Sequence, residues 1–245
     1  MRPPAAPVAA CWMDPLGRAP TVFLLSPASA TGRRALQLAS PRARFAAADR
    51  LRSPAGLPIG EAFCFLSALY FRGKMAYARR FAAAGEPATG EPVCGGPILV
   101  IAPGFGLVPP EWPLTTARLR TLARTPVDPA RRAYSAPLRH DARELAARFA
   151  APARIVLLGS IATGKYLDLL LPILGGRLHF PRAFAGAGDM RRGAMLLRAA
   201  ASGEELEYAA CAAAGRQTRQ TRGGAGRSAT PCPAPRVPGS DRGRD

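Results

Sequence analysis

Arg154-Ile155-Val156-Leu157-Leu158-Gly159-Ser160-Ile161-Ala162-Thr163-Gly164-Lys165-Tyr166 is an apolar run of strand length that ends in a glycine-bracketed loop and passes into a helical pattern. A run with no polar alternation describes a strand buried on both faces, as in a parallel sheet, rather than one arm of a half-exposed hairpin. Working outward, Thr21 to Leu25 and Ile98 to Ala102 repeat the grammar, each ending in a Ser, Pro or Gly loop ahead of a helical pattern. A fourth run, Arg177 to Phe180, leads through Gly186 and Gly188 to Asp189, a residue suited to N-cap a helix through Ala201. Glu205 to Ala209 is expected as an edge strand, and helices are expected over Gly32 to Leu38, Glu61 to Ala84, Thr115 to Ala123, Asp141 to Phe149 and Lys165 to Leu174. The resulting fold class is α/β, three-layered, with a mostly parallel sheet of about four to five strands and helices on both faces.

The chain of 245 residues suits one domain, placed at residues 18–211. Residues 1–17 are rich in Pro and Ala and read as a disordered extension, with Met13 as an alternative start. The tail, 212–245, lacks any apolar run and is built from Arg, Gly, Pro, Ser and Thr, so it has nothing to offset the entropy of ordering and reads as disordered and basic.

Composition narrows the function classes. The five cysteines (Cys11, Cys64, Cys94, Cys211, Cys232) are odd in number, widely spaced and without a C-x-x-C pair or nearby His, which points to a reducing, cytoplasmic setting and to no metal site. No stretch reaches the roughly 18 uninterrupted apolar residues of a membrane helix, so no membrane partner is expected. The net charge of +18 favours an anionic small molecule or nucleic acid as partner. Yet 32 of the 34 cationic residues are Arg, beside heavy use of Ala, Gly and Pro, a bias that GC-rich coding drift produces without selection for binding. The sequence specifies neither a cofactor nor an oligomeric state.

In open parallel α/β sheets, ligands bind outside the carboxyl ends of the strands, so the loops after Leu25, Ala102, Leu158 and Phe180 are the candidate site. Gly159 to Lys165 match G-x-x-x-x-G-K, placing Ser160, Thr163, Gly164 and Lys165 where loop amides and an ammonium meet phosphate. Tyr166 stands where a nucleotide-hydrolysing loop needs Ser or Thr for Mg²⁺, so the pattern fits anion binding and not NTP hydrolysis. After the first strand, Ser26, Ser29 and Arg33 offer hydroxyls and a guanidinium to an anion. Gly104-Phe105-Gly106 forms a constrained loop with Phe105 positioned to stack on a base, and Glu111 and Asp189 are the candidates for acid–base chemistry. On the helix from Glu61, Ser67, Tyr70, Lys74 and Tyr77 fall within about 80° of one another, opposite Arg72, Arg79 and Arg80, so Lys74 shares the inward face. An inward Lys must be paired or line a pocket. Lys74 and Lys165, the only two lysines, both occupy candidate motifs.

The strings Phe23 to Ala28, Phe65 to Lys74, Gly104 to Pro109 and Gly159 to Tyr166 resemble an uncharacterised bacterial α/β family. More distantly, their order is similar to YaaA-like and related small α/β proteins, some of which are compared with uracil-DNA-glycosylase-type folds. That resemblance implies a nucleic-acid or base-handling context, although the Asp/His pairing of glycosylase motifs is missing here. The leading expectation is a pocket for a nucleotide, nucleoside or nucleic-acid segment at the strand ends. In it Lys165, Ser160 and Arg33 would meet phosphate, Phe105 or Tyr70 would pack on a base, and base- or glycosidic-bond chemistry would fall to Asp189 or Glu111. The competing expectation is a non-catalytic basic DNA- or RNA-binding protein.

Overall fold

The computed structural model describes residues 21–82, 96–148 and 153–212. Met13, the N-terminal extension and all but the first residue of the basic tail lie outside them. Among the described residues eight strands occur: β1 (Thr21–Leu25), β2 (Leu57–Pro58), β3 (Ile98–Ala102), β4 (Gly106–Val108), β5 (Pro113–Leu114), β6 (Arg154–Leu158), β7 (Leu178–Pro181) and β8 (Tyr208–Ala210). The α-helices are α1 (Arg33–Ala39), α2 (Ala46–Arg52), α3 (Ile59–Ser67), α4 (Leu69–Phe81), α5 (Thr116–Arg124), α6 (Arg132–Arg148), α7 (Leu167–Leu174) and α8 (Asp189–Ser202).

Six strands form the main sheet in the order β4-β3-β1-β6-β7-β8. β3, β1, β6 and β7 run parallel, while β4 and β8 close the two edges antiparallel. All five residues of β1 are buried, as its continuous apolar run requires. The chain passes from β1 to β3 on one side and then to β6 on the other, and α4 packs with α8 while α6 packs with α7, the arrangement expected when crossovers in opposite directions from β1 share one hand. The three-layer α/β expectation is met, with six strands in place of four to five. β2 and β5 pair separately as a short antiparallel ribbon.

Several boundaries move for identifiable reasons. The long helix expected from Glu61 breaks at Ala68, whose φ of 43° and ψ of −103° are non-helical, so Ser67 ends α3 and falls out of phase with the buried face of α4. Tyr70, Lys74 and Tyr77 are buried as the periodicity requires, and Arg72, Arg79 and Arg80 are exposed. α7 begins at Leu167, because Gly164 adopts a positive φ of 66° and Tyr166 serves as N-cap. Gly188, not Asp189, is the N-cap of α8; Asp189 sits in the first turn, where its charge still complements the helix dipole.

The deepest packing is α4 on α8, where two glycines face each other across the crossing. A Cβ on Gly73 would come 2.7 Å from the Gly193 carbonyl oxygen, and one on Gly193 would come 2.9 Å from the Tyr70 Cα. Both obstacles are backbone and cannot rotate away. We therefore expect Gly193→Ala to destabilise the fold by about 1–3 kcal/mol in urea titrations, while Gly176→Ala, with nothing within 4 Å of its added methyl, stays within about 1 kcal/mol of the parent.

Candidate functional site

β1 lies between β3 and β6, so the chain leaves its carboxyl end toward one side and returns on the other. This is the topological switch point of the sheet, and a crevice forms where the connections diverge. A cleft of about 650 Å³ occupies it. Pro27 to Thr31 after β1, Phe63 of α3, Pro103 after β3, Leu122, Ala123 and Thr125 to Val127 around the end of α5, and Lys165 and Tyr166 after β6 form its walls.

Of the residues expected at the site, Ser29, Lys165 and Tyr166 line this cleft. Ser29 and Lys165 are exposed and Tyr166 is buried. The loop bearing Lys165 is fixed from below by Tyr134 of α6, whose buried hydroxyl donates to the Lys165 carbonyl at 3.1 Å. Asp168, in the first turn of α7, lies against Gly164, where a Cβ would approach its Oδ2 to 2.6 Å. The helix start is thus already complemented by a carboxylate of the chain itself. Ser160 turns inward to its own loop, accepting from the Ala162 amide at 3.4 Å, and Thr163 is exposed; neither lines the cleft.

The other candidates are placed elsewhere. Gly104 and Gly106, with φ of 87° and 83°, shape the tight β3–β4 turn, and the Asp141 carboxylate of α6 accepts from the Leu107 amide at 2.7 Å beside them. Phe105 packs on Trp112, with ring centroids 4.9 Å apart, and not on the cleft. Glu111, in the loop after β4, and Arg33, at the start of α1, are exposed and outside the cleft lining. Asp189 is also outside it, 3.6 Å from the Arg192 guanidinium. The two carboxylates expected to supply acid–base chemistry therefore do not converge on the cleft.

Beside the cleft lies a buried polar cluster that pattern reading found only in pieces. Lys74 is 2 % exposed, and its Nζ donates to Ser26 Oγ at 2.8 Å and to the Ser26 carbonyl at 2.9 Å. The ammonium also stands 3.9 Å from the centroid of the Tyr70 ring. Burial pulls the Lys74 ammonium down to about 7; Asp189 opposes this and the Arg192 guanidinium adds to it. Ser26 Oγ in turn donates to the Leu158 carbonyl at 3.2 Å. Tyr166 reaches the same Ser26, and burial raises its hydroxyl to about 12 against the pull of that hydrogen bond. Tyr70 Oη has no hydrogen-bond partner; the Arg192 guanidinium approaches it without the geometry of a regular bond. Arg192, itself 6 % exposed, is anchored to the Phe184 carbonyl through Nε at 3.3 Å and Nη2 at 3.1 Å. The Ser26–Lys74 contact spans 48 residues and two elements, so spacing along the chain could not reveal it.

No protein-family model, curated protein or solved structure matches the chain. Among the described residues, no group of three His, Cys, Asp or Glu stands together as a metal site, and no helix is long and apolar enough to cross a membrane.

The lowered Lys74 has a measurable thermodynamic signature. Between pH 7 and 10.5 an unfolded chain holds a proton on this lysine that the folded chain has given up, so raising the pH through that window stabilises the fold. Relative to Lys74→Met, whose stability lacks this term, the parent should gain up to about 1.4 kcal/mol per pH unit across it, as read from urea titrations at pH 6.5 to 9.5.

Proposed function

We propose that the cleft across the carboxyl ends of β3, β1 and β6 binds a nucleoside or nucleotide. The observation that carries the reading is the composition of its walls at the switch point of the sheet. Leu122, Pro103, Pro126 and Val127 offer apolar surface for a flat base, while Ser29, Thr31, Thr125 and Lys165 offer hydroxyls and one ammonium for sugar and phosphate. Its volume falls within the roughly 300–1,000 Å³ of small-molecule sites. With Asp168 already complementing the start of α7, the Lys165 side chain supplies the positive charge for an anionic group. The order of the motifs, distantly similar to that of YaaA-like proteins, favours the same base-handling context, and the cysteine pattern favours action in the cytoplasm.

Thermal shift of the full chain tests this against nucleosides, nucleoside monophosphates and short oligonucleotides at 50 and 200 mM salt. A saturable rise with a monophosphate, little changed by salt and weakened about tenfold or more by Lys165→Ala, is the expected result. A rise produced equally by every polyanion, vanishing at the higher salt and indifferent to Lys165→Ala, would replace the pocket with a distributed basic surface for DNA or RNA.

A further inference from the structure

We propose that Ser26 and Lys74 are a nucleophile and general base that hydrolyse an ester-type acyl group. Three observations converge on the pair. The first is geometry: Nζ stands 2.8 Å from Oγ, inside the range for proton transfer between nucleophile and base. The second is that, among the described residues, no carboxylate hydrogen-bonds Lys74. Its donors go to the Ser26 hydroxyl and carbonyl and its charge to the Tyr70 ring, so the side chain is not half of a structural ion pair. The third is location. Ser26 directly follows the last residue of the central strand, and although it is buried, Pro27 next to it and Tyr166, which reaches it, are walls of the cleft, so the assignment requires an acyl group to reach Oγ past the Tyr166 ring. This assignment reaches beyond the nucleoside reading and uses that cleft only for access.

The steps balance without a co-reactant other than water. Neutral Lys74 Nζ takes the Ser26 hydroxyl proton as Oγ bonds to the ester carbonyl carbon. The bond from that carbon to the leaving alkoxide then breaks, and the Lys74 ammonium returns the proton to it, leaving acyl-Ser26 and an alcohol. Water then gives a proton to Lys74 as it adds to the acyl carbon; the bond to Oγ breaks, Oγ regains the proton, and the carboxylic acid departs. Tyr70 Oη, a buried donor without a partner, is assigned to the developing oxyanion, with Arg192 beside it. The charged and titratable groups that act on Lys74 are Tyr70 on its own helix and Asp189 and Arg192 on α8, while Tyr166, just before α7, reaches the Ser26 hydroxyl that the lysine shares. Burial already places the lysine where a fraction is neutral at ordinary pH.

A fluorophosphonate probe on the full chain, followed by peptide mass spectrometry, tests the pair directly. Modification at Ser26 is expected, with a rate that climbs as pH passes through about 7 and levels off above it. Lys74→Arg keeps the positive charge but cannot give up its proton, and should slow labelling at least a hundredfold while circular dichroism stays native. Lys74→Met provides the same reading if the guanidinium does not fit; if neither variant folds, the site and pH profile of parent labelling decide alone. Absence of labelling at Ser26 in the folded parent, or labelling there that is flat with pH or unaffected by either folded variant, would overturn the assignment. Monophosphate binding without labelling would leave the cleft reading standing and remove this one, and labelling without monophosphate binding would do the reverse.

Discussion

Both hydrogen-bonding edges of β1 are filled, by β3 on one side and β6 on the other, and both of its faces are covered. A strand so enclosed can meet a ligand only at its end. Because the connection after β1 runs toward β3 and the one after β6 runs toward β7, the chain diverges beyond these two strand ends and a crevice opens between the connections. Ser26 N continues the ladder to the Leu158 carbonyl at 3.2 Å, and a Cβ on Gly159 would come 2.9 Å from the Ser26 Cβ. The two central loops are thus held in register at the point where the cleft begins.

The buried ammonium of Lys74 is the costly element of this arrangement. A charge removed from water needs compensation, and here it comes from one hydroxyl, one carbonyl and the face of an aromatic ring. That set satisfies the donors without supplying a direct counter-charge, and burial, only partly opposed by Asp189, makes the lysine shed its proton more readily than usual. The positioning depends on features remote from it. Gly73 and Gly193 let α8 come close enough to bring Arg192 and Asp189 within electrostatic reach, and the unusual backbone at Ala68 reorients the chain between α3 and α4. Tyr77, one turn on, accepts from the Leu206 amide at 2.9 Å and meets the Tyr208 hydroxyl at 2.7 Å, which fastens the same helix to the edge strand β8.

The strands were the most legible part of the chain. β1, β3 and β6 have the limits their apolar runs suggest, since a strand buried on both faces leaves an uninterrupted signal. β4 was hidden because its pairing depends on glycines that permit a tight turn and on a carboxylate from α6, a partner 34 residues away. The full length of α6 was masked by Pro137, which reads as a breaker but is tolerated inside this helix. The Ala68 break carries no Gly or Pro to announce it. For the site, periodicity was enough to turn Lys74 inward and strand grammar was enough to locate Ser26, but only the three-dimensional crossing of α4 over the end of β1 joins them. Asp189 and Glu111 were attractive as types, and the fold leaves both outside the cleft.

The cation bias of the chain bears on what this position requires. Many of its arginines tie segments together: Arg34, Arg52 and Arg177 donate to backbone carbonyls, while Arg50 and Arg182 pair with Glu61 and Glu207. A guanidinium suits such contacts because it is planar, multidentate and always charged. At position 74 the permanent charge of a guanidinium would remove the ability to give up a proton that the proposed base role beside Ser26 requires. Most cationic positions of this chain are Arg, and of its two lysines Lys165 is exposed at the cleft while Lys74 is the buried one, whose head group can give up its proton near neutral pH.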